Sequence, residues 1–151
     1  MSTEREAAPP GEAPSRAGRL PVGIDELLAT ARSALERVDP ARARALQGDG
    51  ALIVDIRPEC NRAAEGEIPG SLPIERIHLE WRLDPSGAHR IPEVRADRPV
   101  IVVCNEGYAS SLAAADLQRL GLAKATDLIG GFRAWAAAGL PVREGPTPAV
   151  P

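Results

Sequence analysis

Two short runs, Leu52-Ile53-Val54 and Val100-Ile101-Val102-Val103, are apolar at every position instead of every second one. A strand with one wet face alternates, so an unbroken run marks a strand covered on both faces, as in a parallel sheet. Such a sheet needs helices above and below it. Asp39 followed by Pro40 is an N-cap with proline at the first helical position and opens a short helix that runs to Gln47. The Ala- and Leu-rich stretch 110–120, closed by Gly121, predicts a second helix with Ser110 as its N-cap. A short strand over 125–128 and a helix over 132–138, stopped by Gly139-Leu140-Pro141, follow. Strand and helix alternate, so the fold class is α/β.

Three expectations concern the segments around this core. Ile24, Leu27, Leu28, Ala31, Leu35 and Val38 share one helical face, with Asp25 and Glu26 in the first turn. This predicts a helix over 24–38 whose apolar stripe packs on its own domain, with a dimer contact as the lesser alternative. The stretch 76–84 predicts an amphipathic helix with Ile77, Trp81 and Leu83 on one side. Residues 1–23 and 145–151, rich in proline and glycine without apolar period, read as disordered tails flanking a main domain over 39–144. The 15 prolines and 14 glycines of this 151-residue chain also exclude a long bundle or coiled coil.

Charge and composition remove several function classes. Eighteen Lys and Arg against 21 Asp and Glu leave a net charge of −3, no electrostatic footprint for nucleic acid. No apolar stretch is long enough to span a membrane, and Glu4, Glu6 and Glu12 interrupt any leader-like segment. Cys60 and Cys104 with His78 and His89 form neither a disulfide framework nor a zinc-ligand spacing. The expectation is a soluble, cytoplasmic protein without metal or cofactor.

In parallel sheets the loops after the carboxyl ends of strands hold the ligand, and two such loops here begin Asp55-Ile56-Arg57 and Cys104-Asn105-Glu106. Cys104 closes a buried strand and precedes a Gly-containing loop and a helix start. A thiol there faces backbone N–H groups and the positive end of a helix, which favour thiolate over thiol. The alternative is a small buried hydrophobe at a strand end. Cys60 follows the Asp55-Arg57 strand and is a weaker candidate for a resolving thiol.

Four ordered motifs resemble the rhodanese family of sulfurtransferases. They are Leu52-Ile53-Val54-Asp55-Ile56-Arg57; Gly66-Glu67-Ile68-Pro69-Gly70-Ser71; Val102-Val103-Cys104 leading to Gly107 and Ser110; and Leu128-Ile129-Gly130-Gly131-Phe132 through Trp135 to Gly139-Leu140-Pro141-Val142. The resemblance implies a three-layer α/β/α fold around a mostly parallel sheet of about five strands. It also implies a persulfide on Cys104, filled by thiosulfate or a small or protein-bound persulfide and emptied by a thiol or cyanide. Asn105, Glu106, Gly107, Tyr108, Ala109 and Ser110 would form the cradle, with Asp55 and Arg57 holding it. A monomer or weak dimer would suffice. The alternative is a rhodanese-like module that binds a partner or senses redox state without turnover.

This loop departs from the arginine-bearing pattern of many rhodaneses, with Asn105 and Ala109 at the two arginine positions. Glu106 and the missing cations argue against thiosulfate and for a persulfide donor. Phosphatases of the same fold need an arginine at the sixth position after the cysteine, where this chain has Ser110.

Overall fold

A computed structural model describes residues 20–151. The elements run α1 (Ile24–Ser33), α2 (Pro40–Gly48), β1 (Leu52–Asp55), α3 (Glu59–Glu65), β2 (Leu72–Pro73), a 3-10 turn (Arg76–His78), α4 (Leu79–Leu83), β3 (Val100–Val103), α5 (Ala109–Arg119), β4 (Ala125–Asp127) and α6 (Gly131–Ala137). The strands form one parallel sheet in the order β2-β1-β3-β4. Every residue of β1 and β3 is buried, as their unbroken apolar runs require.

Alternate strand residues feed two separate cores. Leu52, Val54, Val100 and Val102 pack with Leu79 and Leu83 of α4 and with Ala113, Ala114 and Leu117 of α5. On the opposite face, Ile53, Ile101 and Val103 pack with Ala43 of α2 and with Phe132 and Trp135 of α6. This period of two across a doubly covered sheet makes the three layers.

Four strands form where about five are expected. The missing edge is occupied by residues 34–38, reduced to a single parallel bridge between Val38 and Leu128. That pairing also corrects the helix expected over 24–38, which stops at Ser33. Val38 N–H donates to the Asp127 carbonyl and Ile129 N–H to the Val38 carbonyl, so this backbone serves the sheet edge and cannot close helical turns. The following Pro40 biases Asp39 toward extended backbone, and Asp39 caps α2 through Arg42 N–H. α1 itself buries no residue, and Ile24 and Leu27 of its apolar stripe are exposed.

Three further expectations need correction. Ser110 does not cap α5, because it lies in the first turn with Tyr108 at the N-cap position. Of the expected apolar side, Leu83 is buried, but Ile77 in the 3-10 turn and Trp81 in α4 face solvent, and Leu79 takes the core position beside Leu83. Residues 145–151 do not hang free. Thr147 donates to the Glu67 carboxylate and Val150 N–H to the Pro73 carbonyl at the β2 edge. Residues 1–19 of the expected N-terminal tail lie outside the described residues. No helix among the described residues is long and apolar enough to cross a membrane.

Candidate active site

The parallel register pairs Asp55 with Val103 and Val102 with Asp127, which aligns the carboxyl ends of three strands at one edge of the sheet. Cys104 leaves β3 at that edge, and its side chain is buried. Residues 105–108 arch over it into α5. Gly107 N–H donates to Cys104 Sγ at 3.2 Å and Ser110 N–H at 3.4 Å. Both donors, and the positive end of the 11-residue α5, converge on one sulfur. Negative charge on that sulfur is therefore stabilised by fixed dipoles that need no rearrangement.

Close approach of backbones shapes the loop. Gly107 has φ +84°, and a Cβ there would stand 2.7 Å from Gly130 N. A Cβ on Gly131 would collide with the Cys104 carbonyl. The glycine pair lets α6 slide beneath the loop, where Phe132 and Arg133 N–H donate to the carbonyls of Cys104 and Asn105.

Asp55 and Arg57 form a buried bidentate pair, with Arg57 Nη2 at 2.8 Å and Nε at 3.1 Å from the carboxylate oxygens. The guanidinium also donates to the Gly66 carbonyl at 2.7 Å, reaches Asn105 Oδ1 at 3.4 Å and lies 4.0 Å from the centroid of the Phe132 ring. Arg57 thus ties the β1 loop to the cysteine loop. Asn105 Nδ2 in turn donates to Glu65 at 3.0 Å. That bond holds the Glu65 carboxyl below its usual range against the opposing effect of burial, and Arg133 adds to it. Arg133 sits between Glu65 and Glu106, and Glu65 pushes its guanidinium still further toward the charged form. Tyr108 is exposed at the rim and Ala109 begins α5. Cys60 lies exposed on α3 with its sulfur toward Asn61, and both cysteines are free thiols.

Sequence reasoning missed the support behind the loop. Asp127, fully buried at the end of β4, accepts from Ser110 Oγ at 2.7 Å, Ser111 Oγ at 2.8 Å and Arg37 Nε at 2.8 Å. The strand-end rule that selected Asp55 and Cys104 points equally to Asp127. Arg37 and Arg32 both donate to the Gly107 carbonyl, at 3.0 and 2.8 Å. Nothing in the sequence distinguished these two arginines from solvated charges.

Comparison with known proteins places the chain in a family. The model of the rhodanese-like domain matches residues 39–138. The thiosulfate sulfurtransferase GlpE of Pseudomonas fluorescens is 36% identical over 103 residues, 68% of this chain and 86% of that protein. A solved protein of unknown function from Rhodopseudomonas palustris, described as a possible tyrosine phosphatase, is 35% identical with a TM-score of 0.74, covering 83% of this chain and 97% of that one. The human single-domain sulfurtransferase TSTD1 is 26% identical with a TM-score of 0.56, covering 67% and 95%. With the ordered motifs, the parallel sheet and the sulfur at the carboxyl end of β3, these matches establish that the chain belongs to the rhodanese-like domain family.

Proposed function

We propose that the protein is a sulfurtransferase that carries sulfur as a persulfide on Cys104. The observation that carries this reading is the pair of backbone N–H groups, from Gly107 and Ser110, directed at the buried Cys104 sulfur. In the first half-reaction the Cys104 thiolate attacks the outer sulfur of the donor. With thiosulfate the donor S–S bond breaks, its electron pair leaves on sulfite, and Cys104 keeps the outer sulfur as a persulfide anion. In the second, cyanide or a thiolate attacks that outer sulfur, the Cys104 S–S bond breaks, and the thiolate returns. The product is thiocyanate or a new persulfide.

The chain's own groups serve both halves. Backbone amides from Asn105 to Ser110 stabilise the anionic sulfur as charge moves onto it. Arg57 and Asp55 hold Asn105, while Glu106 and Tyr108 form the rim. The donor is thiosulfate or a persulfide. The names of the curated relatives favour thiosulfate, and the carboxylate of Glu106 with Arg133 already held between two carboxylates favours a less anionic donor. Two free cysteines suit a reducing compartment such as the cytoplasm, and a monomer or weak dimer suffices.

Loading is tested by exposing the protein to thiosulfate or to polysulfide and weighing it intact. One added sulfur is expected, lost from Cys104→Ala but kept by Cys60→Ala, and discharged by cyanide or thiol. Failure to load with either donor overturns the enzyme reading and leaves a non-catalytic module. Hydrolysis of p-nitrophenyl phosphate would instead favour the phosphatase chemistry suggested for the Rhodopseudomonas protein, although Ser110 stands where that chemistry needs an arginine.

A further inference from the structure

The loop that arches over Cys104 contains no arginine, yet two guanidinium groups converge on its middle from outside. Arg32 Nη2 and Arg37 Nη2 donate to the Gly107 carbonyl at 2.8 and 3.0 Å. Both residues precede the segment 39–138 that the family model covers. Arg32 also donates through Nε to Ser111 Oγ at 3.0 Å and lies 5.5 Å from the centroid of the Tyr108 ring, while Arg37 is bidentate on Asp127. Among the described residues Arg32 makes no ion pair, so its charge is shared between the Gly107 carbonyl and the Ser111 hydroxyl in the first turn of α5. We propose that Arg32 and Arg37 are positioning residues of the sulfur-transfer loop, supplied in place of loop arginines by a segment outside the shared domain.

The physical argument starts with the Gly107–Tyr108 peptide. A trans peptide points its C=O and N–H in opposite directions. Two cationic donors on the Gly107 carbonyl fix that peptide plane and turn the Tyr108 N–H away from the arginines. The preceding Gly107 N–H is the one that meets Cys104 Sγ. Holding the carbonyl also removes the freedom that a left-handed glycine, φ +84° here, brings to a loop. Charge-assisted bonds are about twice as strong as neutral ones, so two of them on one carbonyl are a stiff restraint.

The dependence runs both ways. α1 packs on α5 through half-buried Leu28 and Ala31, with no side chain fully buried, and hydrogen bonds add to that contact. Besides the Arg32 contacts, Gln118 Nε2 donates to the Ala34 carbonyl just after α1 and Thr126 Oγ1 to the Glu36 carbonyl in the 34–38 segment. The N-terminal segment and the loop thereby position one another. Charge on Arg32 acts through the loop backbone on the rate of sulfur transfer, not by binding the donor.

This inference rests on Cys104 being the reactive sulfur, so its test has one arm that needs no sulfur transfer. Full-length Arg32→Gln and Arg32→Lys would be compared with the parent, all carrying Cys60→Ser so that iodoacetamide reports Cys104 alone. Arg119→Gln, on the exposed side of α5, is the control. Arg32→Gln should lower kcat for thiosulfate and cyanide about tenfold, with KM for thiosulfate changed by less than about twofold. It should also slow alkylation of Cys104 at neutral pH, while the protein stays folded at the assay temperature by its melting curve. Arg32→Lys should recover most of both rates, because a lysine ammonium can still donate to the carbonyl. A raised KM with unchanged kcat would make Arg32 a donor-binding residue and overturn the proposal. So would Arg32→Lys behaving like Arg32→Gln, or alkylation and kcat that match the parent. If the parent loads no sulfur, the sulfurtransferase reading fails, and the alkylation arm still decides whether the arginines position the loop.

Discussion

Asp127→Asn is the most informative single change at the support behind the cysteine loop. The carboxylate is fully buried and accepts four hydrogen bonds, one each from Ser110 Oγ and Ser111 Oγ and two from Arg37. An asparagine of the same shape offers one acceptor oxygen and an NH2 that can only donate. It leaves at least one hydroxyl or guanidinium N–H facing another donor, and it strands a cation whose side chain is only 17% exposed. Removing one partner of a buried pair costs about 3–5 kcal/mol. The lower end applies here, because Arg37 keeps its bond to the Gly107 carbonyl and some contact with water. At roughly 2–4 °C per kcal/mol for a domain of this size, a loss of about 3 kcal/mol lowers Tm by about 6–12 °C. Calorimetry or a circular-dichroism melt reads the shift, and urea titration converts it to free energy. The double variant Arg37→Gln/Asp127→Asn should lose less than the sum of the two single variants, because the second change removes a charge already stranded by the first. A Tm within about 2 °C of the parent, or additivity within about 0.5 kcal/mol, would refute the buried-pair reasoning.

Gly107→Ala should slow Cys104 alkylation sharply, since its Cβ would press on the Gly130 backbone at 2.7 Å from a left-handed φ that alanine avoids; an unchanged alkylation rate would contradict the geometry. Burial alone would raise the Glu67 carboxyl, but hydrogen bonds from Thr147 and Arg62 and the charge of Arg143 outweigh it and hold it below the usual range. Its contribution is therefore full above the unfolded carboxyl value of about 4.3 and disappears as pH falls through the folded one, so Glu67→Gln should flatten the acid limb of urea midpoints taken between about pH 3 and 6. Trp81→Ser, on an exposed face of α4, should change stability by less than about 0.5 kcal/mol in the same titration, and a larger loss would mean that the indole packs on the core.

The parts of this molecule that were legible from sequence are those governed by burial and local backbone rules. The doubly covered strands followed from their unbroken apolar runs, and α2 followed from Asp39-Pro40. The expected ligand-bearing edge followed from where polar residues succeed those strands. The helix over 24–38 was misjudged because a 3.6-residue apolar period says nothing about competing backbone partners. Leu35 and Val38 continue the stripe, yet Val38 pairs with Leu128 at the sheet edge and ends the helix early. The same limit applies at the C-terminus. Proline-rich residues 145–151 cannot form a helix, but Thr147 and Val150 still find acceptors on the body, which composition does not encode.

Support for the cysteine loop divides along the same line. Every restraint that a local pattern could announce comes from within the loop or from a strand end: the glycine at 107, the start of α5, Asp55 with Arg57, and, overlooked, Asp127. The restraints that no pattern announces are long-range arginine contacts, 70 to 75 residues apart in sequence, onto a carbonyl that carries no side-chain signature. A guanidinium has the reach and the donors to serve a backbone acceptor from any neighbouring element, so losing arginines from the loop does not require losing cationic support for it. Loop composition alone is therefore a poor guide to how this loop is held. The charge near Cys104 has to be counted over α1, the 34–38 segment and α6 together. On that count Arg32 and Arg37 stand behind the loop and Arg133 beside it, while Glu106 is the carboxylate on the loop itself.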